Sequence, residues 1–430
     1  MALHNRILIG LLAGAIAGIV TNVTLGLTPG VEWAIRNVIE PLGRIWLNAL
    51  IMVVIPLIVS TLALGVAGLG SISKLGRIGL LTLMSFLALT TMAVILGLFA
   101  VNTVRPGEGL DLEVRNRLMA AYSGQSEGAM GLAKGALGIN TFVNIVPRNP
   151  VQAAANGEML AVIFFALMIG IALTTLRPDK AEPMLRFLDS LAHVTIAIIE
   201  MVMKFAPYAV FALIFSVTAR FGFDLLLSLL LYVLTVVGSL VVFYVVGYSL
   251  VLKFVAGRSP MEFFRKTRIV TLTAFSTSSS NATLPTTLRV TEEELRVPPQ
   301  IAGFVIPLGA TMNMNGTALF EGITVLFIAQ VFGVTLSLGQ QLIVVLMSVV
   351  TAIGVAGIPG GSIPLLMMVL AMVGLPAEGI AIVLGVDRIL DMCRTTVNVA
   401  GDMVTATIVD RFEGRAAGAV PLVEAAGPRA

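Results

Sequence analysis

The amino-acid sequence predicts an all-α protein that crosses a lipid bilayer many times. Three observations carry that prediction. The 430 residues are 57% hydrophobic and only 12% charged, with a mean hydropathy of +0.99, whereas soluble domains carry about 25% charged residues. Apolar runs recur at lengths no barrel strand needs, and residues 225–252 hold no charge at all; helices are then the spanning elements that satisfy their own backbone. Late in the chain the apolar segments are broken by Gly, Pro, Ser and Asn, which at membrane depth requires protein or a wet cavity around the break. The net charge of +3 is small. The basic residues sit in short loops and form no basic motif, so a nucleic-acid partner is excluded. The single cysteine, Cys393, allows no intramolecular disulfide and reads as a small packing residue.

Taken in order, residues 6–27 make span one, and no cleavable leader is legible before them. Span two, 39–69, carries Arg44, Asn48 and Pro56. Span three is 76–101. A polar, Gly-rich stretch follows over 103–157, with Pro106, Pro147 and Pro150. Spans four, five and six are 158–176, 184–218 and 222–255. Lys74 and Arg77 follow span two, Arg177, Lys180 and Arg186 follow span four, and Lys253, Arg258, Arg265, Lys266 and Arg268 follow span six. Basic residues in short loops mark the cytoplasmic side, so both termini are expected inside and 103–157 outside.

The pattern changes after residue 258. Residues 259–291 are too polar to span alone, with TAFSTSSSNATLP at 273–285. Residues 297–331 are apolar but interrupted by NMNGT at 313–317. Residues 338–373 are apolar and broken at GVAGIPGGSIP, 354–364. Residues 376–412 form a last apolar helix with a polar stripe. The order is broken hairpin, interrupted helix, broken hairpin, striped helix. The sum is eight transmembrane helices plus two re-entrant helical hairpins, repeated in hydropathy though not in residues. Hairpin tips with Ser and Gly present free amides that suit an anion. An unwound segment near Asn313 presents carbonyls that suit a cation.

The stripe is the most informative feature. Asp387, Asp391, Arg394, Asn398 and Asp402 stand at i, i+4, i+7, i+11 and i+15. At about 100° per residue they share a face roughly 80° wide. Each ionisable group in hydrocarbon costs several kcal/mol unless paired or wetted, by about 2.5 kcal/mol or more. The stripe therefore predicts a polar, ligand-filled interior. The alternative is a salt-bridge ladder locking two helices, which leaves Asn398 and Asp402 over. Arg388 lies about 100° from Asp387 and off the stripe's centre, where pairing with Asp387 is expected. Ser278–Ser280 has no His or Lys base in its own segment, which argues against a nucleophile and against an enzyme.

SSSNATLP (278–285), NMNGTAL (313–319), AGIPGG (356–361) and DMCRTTVNVAGD (391–402) resemble the dicarboxylate/amino acid:cation symporters, which include the glutamate transporters of brain and their prokaryotic relatives. NIVPRNP (144–150) and ANGEML (155–160) look like the same family, so the resemblance covers nearly the whole chain. It implies the glutamate-transporter fold with inverted repeats, a homotrimer, and the plasma (inner) membrane of a prokaryote. It divides the chain into scaffold (1–75 and 103–220), transport domain (76–102 and 221–415) and a disordered tail (416–430). It implies symport of L-glutamate and L-aspartate with H+ and/or Na+, and no cofactor beyond these coupling ions. The alternatives are C4-dicarboxylate:cation symport and an anion channel.

Residue by residue, the resemblance gives Arg394 the substrate's side-chain carboxylate, a match for a guanidinium fork. It gives Asp391 the α-ammonium, and Asn398 and Thr395 the α-carboxylate and amino group. Thr317 falls beside the side-chain carboxylate. Ser279 and Ser280, at the first hairpin tip, fall on the α-carboxylate, and Gly357 and Ile358 on the second tip, which gates. For Na+ it implies Gly309, Asn313, Asn398 and Asp402, an oxygen cage suited to a hard cation. Sodium-coupled relatives read NMDGT where this chain reads NMNGT, so Asn315 removes a carboxylate from the cation-binding set. In the ungapped register a second sodium site of the family falls on Phe86, Leu89 and Thr90 and looks dismantled, whereas a shift of one residue restores Thr90 and Thr91 to it. Glu321 stands where the brain transporters carry a proton, and apolar surroundings favour a neutral carboxyl. The expectation is that protons couple at least as strongly as sodium.

Overall fold

The computed structural model describes residues 3–417 except Gly76, 109–145, 157–158, 222–223, 356 and 358–359. Most of the polar 103–157 stretch, Ile358 and the tail from 418 therefore lie outside the described residues. Among those described, every regular element is helical. They are α1 (Leu3–Thr24), α2 (Pro29–Ala34), α3 (Glu40–Ile51), α4 (Val54–Leu75), α5 (Arg77–Val104), α6 (Pro150–Ala155), α7 (Met159–Thr175), α8 (Pro178–Met203), α9 (Ala206–Phe221), α10 (Asp224–Val242), α11 (Tyr248–Leu250), α12 (Pro260–Thr277), α13 (Ser280–Glu293), α14 (Pro299–Met312), α15 (Asn315–Val331), α16 (Leu338–Gly354), α17 (Ile363–Met372) and α18 (Ala381–Ala417).

Among the described residues, five helical stretches are long and apolar enough to cross a bilayer, or six if the pair bent by 59° at 203–206 counts as one span. They are spans one, two, three, six and seven, with the bent pair as span five. Span four, α7, is apolar but short. Span two is longer than expected: it begins at Pro29, passes a π-turn at Ile35–Ile39, and runs to Leu75. Thr28 caps its start by accepting from the Val31 amide, with Pro29 at the first helical position.

Both hairpins form as the breaks predicted. In the first, Ser259 caps α12, and α12 stops at Ser278, a left-handed residue with φ +51°. Ser279 then caps α13 by accepting from the Ala282 amide. In the second, Ser337 and Gln340 make a reciprocal capping box for α16. The interrupted helix breaks where expected, Asn313 and Met314 leaving helical geometry between α14 and α15.

Burial separates two kinds of helix. In the apolar window over Asn5–Thr24 only 24% is buried, whereas over Pro299–Val331 the figure is 94%. The former is a peripheral helix with a lipid-facing apolar surface; the latter is a core helix. Helix α1 packs on α9 and α4 packs on α7. Gly10 and Gly14, one turn apart, let α1 approach the α9 backbone so closely that a Cβ on Gly14 would meet the Phe211 carbonyl at 2.7 Å. Around the core, α15 packs on α5, and α18 packs on α12, α14 and α15. The C-terminal end of α18 is tied down by ion pairs: Arg258 reaches Asp410 at 2.7 Å and Arg77 reaches Glu413 at 3.4 Å. Arg220 joins Glu32 and Glu40 at 3.1 and 3.0 Å, clamping α9 to span two.

Candidate functional site

All five stripe residues are buried, so α18 turns its polar face inward. Arg394 is fully buried. Its Nη2 donates to Asp391 Oδ1 at 2.8 Å, and its Nη1 lies 3.1 Å from Asp387 Oδ1. The guanidinium carbon lies over the Phe320 ring, 3.9 Å from its centroid, a cation–π contact that also packs the fork. Arg394 Nε makes no hydrogen bond. Two carboxylates and one ring thus hold the guanidinium, leaving donor capacity for a further acceptor.

Asp391 ties this cluster to the second hairpin, since its Oδ2 accepts from the Gly360 amide at 3.2 Å. Arg388 does not pair with Asp387 as its spacing suggested. Its Nη1 approaches Asp391 Oδ2 at 3.6 Å, because Asp387 is already engaged by Arg394, whose i−7 position lies on the same face. A salt-bridge ladder therefore does exist at this end of the stripe, but within α18. Two acids and two bases make it formally neutral.

The other end of the stripe contains no base. Asn398 Oδ1 accepts from the Gly316 and Thr317 amides at 2.7 and 3.3 Å, and its Nδ2 donates to Thr317 Oγ1 at 3.1 Å. It caps α15 at the break, satisfying amides the interruption would leave bare. Asp402 Oδ1 accepts from Asn313 Nδ2 at 2.9 Å, and no ion pair to it exists among the described residues. Asn313 Oδ1 is buried without a partner. Gly309 is required here, since a Cβ would collide with the Asp402 carboxylate. Gly309, Asn313, Asn398 and Asp402 are brought together around the helix break.

Asn315 stands beside them and is fully used. Its Oδ1 accepts from Thr90 Oγ1 at 2.8 Å, and its Nδ2 donates to Tyr248 Oη at 3.0 Å. Tyr248 in turn donates to the Val397 carbonyl at 2.8 Å. Phe86 and Leu89 are buried on the same helix as Thr90 and offer no oxygen. Tyr248 went unnoticed in the sequence. It lies between two π-turns, Phe243–Gly247 and Val251–Ala256, irregularities that aim side chains at sites but leave no residue signature.

The hairpin tips meet. Ser279 Oγ donates to the Gly357 carbonyl at 2.7 Å, and the Asn281 amide donates to the same oxygen at 3.3 Å. Ser280 is buried at the start of α13. Thr395 spends its hydroxyl on the Asp391 carbonyl one turn back, so it joins the site only through its helix. Glu321 lies on α15, fully buried, with its Oε2 2.7 Å from Thr351 Oγ1. No base pairs with it among the described residues.

A family model described as the sodium:dicarboxylate symporter family matches residues 3–412. The chain is 37% identical to the proton/glutamate-aspartate symporter of Escherichia coli (strain K12) over 385 residues, 89% of this chain and 87% of the other. It is 37% identical to the proton/sodium-glutamate symport protein of Bacillus subtilis (strain 168) over 91% of this chain and 90% of the other. A C4-dicarboxylate transport protein of the same organism is 33% identical over 90% and 91%.

Proposed function

Because this chain belongs to the sodium:dicarboxylate symporter family, we propose that it is a secondary active symporter importing L-glutamate and L-aspartate with protons and, at least in part, sodium. One observation carries the reading: Arg394 and Asp391 stand 2.8 Å apart in a buried cluster on α18. An acidic amino acid brings a carboxylate for the first and an ammonium for the second. Replacing one internal ion pair by two to the ligand keeps every charge paired, as burial demands. The spare Nε–H of Arg394 donates to the second carboxylate oxygen.

The α-carboxylate then falls to the tips, to Ser279 and Ser280 of the first hairpin, where Ser279 bonds to Gly357 of the second. Ile358, in the second tip, gates beside Gly357. Asn398, Thr317 and Thr395 frame the bound zwitterion. Entry requires the Ser279–Gly357 bond to open, so closing that bond follows binding. The substrate carries a net negative charge into a cluster that is already neutral. Asp402 and Asn313, with the Gly309 carbonyl and Asn398, supply the oxygens for a cation such as Na+ as cargo. Glu321 carries the proton.

Residues 1–75 and 103–220 act as scaffold in a homotrimer, and 76–102 and 221–415 cross the bilayer as the moving unit, with both termini cytoplasmic. Reconstituted uptake with separately imposed proton and sodium gradients tests the reading. Glutamate and aspartate should accumulate on an inward proton gradient alone. Concentrative uptake on sodium alone, indifferent to a pH gradient, would defeat the proton role; accumulation of neither acid would defeat the function itself, and passive equilibration would indicate a channel.

A second reading, C4-dicarboxylate symport, is favoured by Arg388, whose Nη1 lies 3.6 Å from Asp391. That contact would neutralise Asp391 when a substrate without an ammonium is bound. Succinate should compete poorly with labelled aspartate if the first reading holds.

A further inference from the structure

The Thr351 hydroxyl has one proton and three oxygens within reach. Glu321 Oε2 lies at 2.7 Å, the Met347 carbonyl at 2.8 Å and the Ser348 carbonyl at 3.2 Å. Both side chains are buried, at 0% and 1% exposure, and Glu321 Oε1 has no partner. If the carboxyl is ionised, the Thr351 proton must turn to Oε2, the Met347 carbonyl loses it, and Oε1 is left bare in a dry interior. If the carboxyl is protonated, it donates to Thr351 Oγ1 and Thr351 donates onward to Met347. The second arrangement uses every donor and leaves no buried anion, so the packed geometry is that of the neutral acid.

The surroundings leave the choice to this one bond. Helices α5, α14, α16 and α17 bring no titratable group to Glu321; Arg77 opens α5 at its far end. From α18 the facing charges are Arg394, with Asp387 and Asp391 bound to it. From α10 comes Tyr232, whose hydroxyl is engaged by Thr324 at 2.8 Å, one turn along α15. None of these forms a hydrogen bond or ion pair with Glu321.

We propose that Thr351 is a positioning residue through which the second hairpin reads the proton on Glu321. It sits on α16, the first arm of the hairpin whose tip meets Ser279. With the proton loaded, α15 and α16 are joined by a relay from Glu321 through Thr351 to Met347. Loss of the proton to water requires the arm to part from α15 far enough to wet the carboxylate. Proton release is thereby tied to movement of the gate. This inference rests on the reading of Glu321 as the proton carrier.

The experiment is exchange of labelled glutamate by the full chain in proteoliposomes, with pH matched on both sides and varied in steps. Thr351→Val removes both bonds, and the ionised form loses the stronger one. The alkaline limb of the profile should move up by about one pH unit. Thr351→Ser should overlay the wild type, and Thr351→Ala serves as the deletion if the valine fails to fold. In a Glu321→Gln background the profile should be flat, with Thr351→Val adding no change. A flat Glu321→Gln profile beside an unshifted Thr351→Val or Thr351→Ala profile overturns the role of Thr351 and spares the carrier. A Glu321→Gln protein that keeps the wild-type pH dependence overturns the carrier itself.

Discussion

The two ends of the polar stripe on α18 are equally buried and oppositely satisfied. At one end Asp387, Asp391 and Arg394 saturate each other, with Arg388 at 3.6 Å making the set neutral. At the other, Asn398 and Asp402 bond to amides and an amide side chain across a helix break, with no base in reach. On the proposed function, an acidic amino acid at the first end exchanges existing ion pairs with a charge of each sign, whereas a cation at the second adds to oxygens that no base neutralises. The two ends of one helix would then serve different ligands, and the difference lies in whether charges are already cancelled.

Removing the base at the saturated end should break the comparison most severely. Arg394→Cys leaves two buried carboxylates without their partner and nothing to grip a side-chain carboxylate. Truncating one member of a buried charge pair costs roughly 2–5 kcal/mol, so uptake of glutamate should fall at least about 30-fold. Uptake of neutral amino acids should survive, since Asp391 is still present for an ammonium. Radiolabelled uptake of both substrate classes checks this, and unchanged glutamate transport would dissolve the distinction between the two ends. Next in size is Asp402→Asn at the open end. It deletes the only carboxylate among the described residues there and should weaken cation stimulation of uptake about tenfold, read from a sodium titration at saturating substrate. Loss of substrate selectivity instead would mean the two ends act as one.

The saturated end was partly legible in the chain because helical periodicity alone puts 387, 391 and 394 on one face. Which acid Arg388 meets was not legible, since i+1 and i+3 neighbours differ only by where a long side chain is free to go, and Arg394 had already claimed Asp387. The helix break at Asn313 was readable from NMNGT, and so were both hairpins, because Gly, Pro and Ser runs cannot stay helical in an apolar segment. Tyr248 was not, because π-turns are set by packing around them and no residue type announces them. Nor was the Thr90–Asn315 bond, which joins residues far apart in sequence through the packing of α5 on α15. The contrast follows a rule: what a single helix dictates is visible in spacing, and what two helices dictate is not.

Asn315 offers a way to sharpen the comparison by charging the open end. In Asn315→Asp a second carboxylate joins Asp402, beside Thr90 Oγ1 and Tyr248 Oη. The added anion has no base among its described neighbours, so a cation should be recruited to it. Half-saturation by sodium should fall by about threefold, with less effect on glutamate affinity. A sodium titration of uptake at fixed pH measures it, and a protein indifferent to sodium in both forms would place cation coupling elsewhere.

The smallest expected effect probes the saturated end without removing its core. Arg388 is the one base there that holds no short contact, its Nη1 standing 3.6 Å from Asp391 and its Nε bonding to nothing. When an ammonium occupies Asp391, Arg388 is a like charge nearby. Arg388→Gln should therefore leave glutamate uptake within about twofold of the wild type, with affinity slightly improved, because a partly exposed contact of this kind is worth little. A dicarboxylate has no ammonium and depends on Arg388 to neutralise Asp391, so any competition by succinate should weaken in the same variant. Competition curves for succinate and aspartate, run side by side on both proteins, separate the two cases. If glutamate uptake collapses while succinate competition is untouched, Arg388 belongs with Arg394 in the grip on substrate, and the neutrality of this end is a property of the bound state as well.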